Sequence, residues 1–245
     1  MSAGAPGAQP DGGQGGPATP AQGEHAGGTG GSSAAWRRRW PAGMENRFPG
    51  FDVMAQAGHW DPVTAGVVTA RLGAPEALKF FTEPEAATTA ALVNLITGQQ
   101  DAPAVPVMEM IDARLAAGQT DGWRYEDMPE DAQAWRDTLA NLDSDAFSRC
   151  GTVFAEAAWP DQMALVQAVQ DQKTGDWHGL PAAHVWSLWT RYACTAFYSH
   201  PFAWNEIGFP GPAYPRGYKN AGVGKREPYE VPDADPADDP VRKGD

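Results

Sequence analysis

The chain has 245 residues, with 18 Lys+Arg against 31 Asp+Glu and a formal net charge of −13. That acidity argues against non-specific binding to nucleic acid or anionic membranes, and two cysteines exclude a disulfide framework, a CxxC…CxxC zinc site, an iron–sulfur cluster and a CxxCH haem site. Hydrophobic residues at 42% and ten Trp supply the core of one medium domain, so the 28 Gly and 22 Pro are expected to cluster outside it.

Residues 1–35 hold 11 Gly, 8 Ala and 4 Pro without an aromatic or branched aliphatic side chain, a composition expected to stay disordered. Arg37, Arg38 and Arg39 lack the apolar run of about 7–15 residues that a twin-arginine export signal needs. A cytoplasmic location is therefore expected, with export alongside a signal-bearing partner as the alternative. The sequence holds no apolar stretch long enough to cross a membrane. From Glu227 onward seven acidic residues face two basic ones, with Pro228, Pro232, Pro236 and Pro240 at every fourth position, the pattern of a solvated tail. The expected organisation is a disordered arm over 1–43, a helical domain over 44–222 and a disordered tail over 223–245.

After Pro75 the apolar residues fall at helical spacing. Thr82 is expected to cap a helix opened by Glu83, Pro84 and Glu85, with Ala91, Leu92, Leu95 and Ile96 on one face and Gly98 at its end. Val107, Met110, Ile111 and Leu115 stripe a second helix that ends at Gly118. Ala132, Trp135, Leu139, Leu142 and Ala146 mark a third. Asp143 is expected to cap a fourth, carrying Phe147, Cys150, Val153, Phe154 and Ala157. After an interruption at Pro160, Asp161 is expected to cap a short helix with Ala164, Leu165, Ala168 and Val169. The polar loop QDQKTGDWHG then leads to an aromatic helix over 181–199. No period-two run persists, so the expected class is all-α: an antiparallel bundle of five or six helices with an irregular aromatic C-terminal segment.

That segment, YSHPFAWNEIGFPGPAYPRGY from Tyr198 to Tyr218, packs six aromatics among prolines and glycines and lacks helical periodicity. Long irregular loops of this kind carry function, and its aromatics with Arg216 are the residue types of interface hot spots. Candidate partner-binding residues are Trp186, Trp189, Tyr198, His200, Trp204, Phe209, Tyr214 and Arg216. Catalytic readings are weaker. His184, His200 and Glu206 match no metal-ligand spacing, Ser199 and His200 are neighbours rather than a triad, and Glu109 with Asp112 reads as a solvated charged face near Arg114. A rival reading makes His184, His200, Glu206 and Trp204 the lining of a small-ligand pocket. Cys150 and Cys194 pair only if the fold brings them together; otherwise two buried thiols in a reducing compartment are expected.

Three stretches resemble the gluconate 2-dehydrogenase subunit 3 family. They are EAATTAALVNLITGQQDAPAVPVMEMIDARLA with its Ile111-Asp112 pair, and LANLDSDAFSRCGTVFAEAAWPDQMALVQAV with Leu142-Asp143, Ala146, Gly151, Phe154 and Gln162. The third is the aromatic segment with FYSHP and GFPGP. Where many members continue with Gly-Gly-Asn after the signature Pro, this chain reads FAWNEIGF. The resemblance covers about residues 75–218. It implies a helical accessory subunit without activity of its own, which binds the large subunit of a flavin-dependent glucose–methanol–choline type dehydrogenase and supports its maturation or stability. It also implies that no cofactor sits on this chain and that FAD sits on the partner.

Overall fold

Thr82 opens the first long helix as a reciprocal cap: its main-chain N–H donates to Glu85 Oε2 at 2.8 Å while its hydroxyl accepts from the Glu85 N–H. In the computed structural model, which describes residues 48, 50–73, 77–99, 105–220 and 225–231, the capping, proline and glycine signals of the middle of the chain fall where local chemistry places them. The helices are α1 (Pro62–Ala70), α2 (Glu83–Thr97), α3 (Val107–Ala116), α4 (Asp131–Cys150), α5 (Trp159–Asp171), α6 (Ala182–Ser199) and α7 (Pro201–Ile207). Two 3₁₀ turns, Val53–His59 and Phe154–Glu156, and a two-stranded hairpin, β1 (Asp176–Trp177) with β2 (Leu180–Pro181), complete the described elements. The chain is all-α, with this one small hairpin among the described residues. The arm over 1–43, Arg37–Arg39 and the tail beyond Val231 lie outside the described residues.

The main core gathers α2 to α6. Leu92 and Val93 from α2, Ile111 from α3, Trp135, Leu139 and Leu142 from α4, Val166 from α5 and Val185 and Trp189 from α6 are buried together. Helix α6 packs on α2, α3 and α5. The Trp135 ring meets Tyr192 edge-on at 5.7 Å, and Trp189 meets Trp177 at 5.5 Å, the arrangement that ring quadrupoles favour.

Four expectations need correction. The third and fourth helices are one: α4 runs 20 residues through Asp143 to Cys150 and ends on Gly151 in the left-handed region. Phe147 consequently points to solvent, and Phe154 enters the core from a 3₁₀ turn instead. Asp143 caps no helix, because its carboxylate is engaged across the fold. Second, α5 begins at Trp159, with Pro160 inside its first turn, where a missing N–H breaks no helical bond. Its buried stripe is Gln162, Val166 and Val169. Third, the polar loop before α6 folds as a hairpin, its two-residue turn made by His178 and Gly179, both at positive φ.

The fourth correction concerns the aromatic segment, which is partly helical. Proline at its first position suits α7, the His200 side chain caps it, and Gly208 ends it in the left-handed region. This helix faces the segment before residue 75, where no helix was expected. Val53, Trp60, Val68 and Trp204 form a second apolar cluster, with Phe51, Met54, Ala57, Ala65 and Phe209 packed on it. Asn205 Oδ1 accepts the Val53 N–H at 2.7 Å across 152 positions. Gly211 is required there: at φ +79°, an added Cβ would lie 2.5 Å from Trp60 Cζ2.

Candidate functional site

The family-like residues are used to hold the chain together. Asp112 is buried and its carboxylate accepts three consecutive main-chain N–H groups, from Lys79 at 2.7 Å, Phe80 at 3.0 Å and Phe81 at 2.8 Å. The expectation of a solvated charged face is wrong for Asp112: the residues leading into α2 pass over α3 at that point and present their orphan donors to it. Asp143 accepts from Thr88 Oγ1 at 3.0 Å and from the Phe154 N–H at 2.9 Å, pinning α4 to α2 and to the turn beyond Gly151. Gln162 closes the same corner, donating to the Phe154 carbonyl at 2.8 Å. Leu142, Ala146 and Phe154 are wholly buried beneath it. The glycines of GFPGP act likewise, since Gly208 and Gly211 allow the chain to pass against Phe48 and Trp60.

The histidines and Glu206 do not form one site. His184 and His200 stand at opposite ends of α6, about 24 Å apart at 1.5 Å rise per residue, so the rival pocket is not assembled. His184 Nδ1 lies 2.8 Å from Asp127 Oδ1 and its ring stacks on Tyr125 with centroids 3.6 Å apart. His200 Nδ1 accepts the Phe202 N–H at 3.1 Å, and burial holds its pKa below the ordinary value. Glu206 is half-buried with one carboxyl oxygen withdrawn from solvent and unbonded, which pushes its pKa up to about 7. Among the described residues, no group of three or more His, Cys, Asp or Glu side chains stands where it would hold a metal ion. Both cysteines are free; Cys150 is half-buried and Cys194 is exposed rather than buried.

The partner-binding candidates divide by exposure. Trp189 is fully buried, its Nε1 donating to Thr138 Oγ1 at 3.1 Å, and Trp204 is buried with Nε1 donating to the Tyr198 carbonyl at 2.7 Å. Neither presents a surface, and His200 is buried as well. Trp186 and Phe209 are half-buried. Tyr198 at 50% and Tyr214 at 67% exposure are the open ones, joined by Ile207 and Tyr218 nearby in the chain. Arg216 donates through Nη1 to Gln56 Oε1 at 2.9 Å, while its Nε and Nη2 are withdrawn from solvent without an acceptor. Leaving charged donors unmet in this way costs about 1–3 kcal/mol or more per group. The start of the acidic tail is also engaged: Glu227 is buried and accepts from the main-chain N–H groups of Lys219 and Asn220.

A further cluster escapes the sequence. Arg114 and Arg191 both pair with Asp121. Burial raises the Asp121 pKa, the two guanidinium groups lower it more, and the net shift is downward. Arg191 lies over the Trp123 ring at 4.8 Å, and Tyr192 donates its hydroxyl to Asp131 at 2.6 Å. Burial first, then Asp131, holds the Tyr192 pKa well above the ordinary value. This network fixes the loop between α3 and α4, so that Trp123 and Tyr125 stand exposed as an edge-to-face pair at 5.3 Å. The pair of aromatics in GWRY was its only signal, and nothing in the spacing tied it to α6.

A family model described as gluconate 2-dehydrogenase subunit 3 matches residues 83–211, from the capped start of α2 to Gly211. No curated protein and no solved structure matches the chain. With the match covering more than half of the chain, and with its motif residues forming the joints just described, the chain belongs to the gluconate 2-dehydrogenase subunit 3 family.

Proposed function

We propose that this chain is the non-catalytic small subunit of a flavin-dependent sugar or alcohol dehydrogenase of the glucose–methanol–choline type, and that it binds the large subunit and supports its maturation or stability. Membership of the subunit 3 family is the observation that carries this reading. The use of the motif residues supports it: Asp112, Asp143 and Gln162 are bonded to the protein's own backbone and join its elements, a structural use. In this reading FAD and the substrate-oxidising groups belong to the large subunit, and this chain carries no cofactor. The contact surface is built from the exposed aromatics Tyr198 and Tyr214 with the edges of Trp186 and Phe209, residue types suited to anchoring in a partner's groove. The protein works in the cytoplasm or leaves it on a signal-bearing partner.

Co-expression with a flavoprotein encoded beside it tests the proposal. The expected result is one size-exclusion peak containing both chains and flavin absorbance, while this chain purified alone is colourless. Failure to co-purify with that flavoprotein overturns the reading.

A further inference from the structure

A second pair of open aromatics stands at the far end of α6 from Tyr198. Trp123 is 50% and Tyr125 37% exposed, and both are held in place from beneath. The Arg191 guanidinium lies over Trp123 at 4.8 Å, and the His184 ring stacks on Tyr125 at 3.6 Å with 3° between the planes. Rings fixed in this way lose little side-chain freedom when something binds, which suits them to act as anchors.

The arginines of this corner are spent. Arg114 and Arg191 both pair with Asp121, and Arg124 pairs with Glu130 at 2.8 Å. Two carboxylates are left over. Glu126, next to Tyr125 in the chain, is exposed and has no ion pair among the described residues. Asp127 is 52% exposed, with the His184 ring beside it. The unmet charge around the two rings is thus negative. A cation placed there gains from the ring quadrupoles and from both carboxylates.

His184 and Arg191, which hold the two rings, are seven residues apart on α6, and Tyr198 is seven further on. Residues at that spacing share one side of a helix, here over about 21 Å at 1.5 Å rise per residue. Cys194 and Thr195, exposed on the same side, are small. The two rings therefore continue the side of α6 on which Tyr198 stands.

We propose that Trp123 and Tyr125 form a docking platform for a basic segment of the large subunit, whose arginine or lysine side chain seats on the rings beside Glu126 and Asp127. This docking rests on the small-subunit reading above and supplies the chemistry of one part of that contact. A second copy of this chain does not suit the platform, because it would bring the same carboxylates face to face in a chain of net charge −13.

The test is titration of the full-length chain and its variants into the flavoprotein of the co-expression experiment, at about 0.05 and 0.5 M sodium chloride. Trp123→Ala is expected to weaken binding about tenfold or more at both concentrations. Glu126→Lys is expected to weaken it about tenfold at the lower concentration and about threefold at the higher, where salt screens the charge. Glu126 has no bond to the rest of the fold, so this variant decides the matter even if Trp123→Ala unfolds. Wild-type affinity in folded Trp123→Ala, or wild-type or tighter binding by Glu126→Lys, overturns the platform and leaves the small-subunit reading in place. A dimer of the isolated chain that Trp123→Ala abolishes, seen by sedimentation, does the same. Failure of the wild-type chain to bind the flavoprotein overturns that reading, and the platform with it.

Discussion

Asp112 Oδ1 accepts the main-chain N–H of Phe81 at 2.8 Å, joining residues 31 positions apart, both of them buried. The same carboxylate takes the N–H groups of Lys79 and Phe80, so one side chain on α3 satisfies the entry to α2. A buried carboxylate is tolerable because three donors replace its water, and the donors are satisfied in turn.

Replacing it tests that exchange. Asp112→Asn retains the shape but loses the charge and one accepting oxygen, and is expected to destabilise the fold by about 1.5–3 kcal/mol. A residue on a solvated face would change stability by less than about 0.5 kcal/mol. Urea denaturation of the two proteins separates these outcomes, and a value in the smaller range contradicts the joint described here.

Trp204 and Tyr214 belong to one segment and should behave oppositely. Trp204 is buried in the cluster with Val53, Trp60 and Val68, so Trp204→Ala is expected to destabilise by about 3–5 kcal/mol. Tyr214 is 67% exposed, so Tyr214→Ala should leave stability within about 0.5 kcal/mol while weakening the proposed complex with a large subunit by about 2 kcal/mol if it is a central anchor. Thermal unfolding of the isolated variants and titration of each against the flavoprotein measure the two effects. An unchanged melting curve for Trp204→Ala would contradict its burial.

Gly211 combines left-handed backbone with close packing against Trp60. Gly211→Ala adds strain and a clash, with an expected loss of roughly 1–3 kcal/mol that is concentrated where residues 51–68 dock on α7. Limited proteolysis should therefore cut that segment faster in the variant. Equal cutting in both proteins would show that Trp60 moves aside freely.

Glu206 predicts a pH dependence with a definite sign. Burial raises its pKa from the ordinary 4.5 to about 7, so across that window the folded protein keeps a proton that the unfolded chain has released. Stability is complete below the unfolded value and falls as pH rises through the folded one. The expected loss between pH 4.5 and 8 is about 1–3 kcal/mol, the smaller figure allowing for solvent screening of the partly exposed side chain. Urea midpoints of the wild type and Glu206→Gln across that range provide the check; the variant should lack this component. Identical slopes would assign the pH dependence to other groups.

Helix positions were legible in the sequence wherever the signal was local. Thr82, Glu85 and Gly98 bound α2 through bonds made within a few residues, and the three- and four-residue steps from Trp135 to Ala146 mark one buried face of α4. The hairpin turn at His178-Gly179 was missed because a two-residue strand is too short to show alternation. The early segment was missed for a different reason. Its prolines and glycines interrupt periodicity, and its apolar residues find their partners on α7, some 150 positions away.

The acidic composition, the all-α class, the ends of α2, α3 and α6 and the family resemblance were therefore determined by the sequence alone. Each rests on counting, on short-range capping or on the order of motifs. Tertiary structure decided what the polar and aromatic residues are for. Asp112, Asp143 and His200 accept backbone donors, Trp189 and Trp204 fill cores, and Tyr198 and Tyr214 remain open. A side chain's chemistry is encoded where it stands, but its burial and its partner depend on which distant segment lands opposite it, and that is a property of the packed chain.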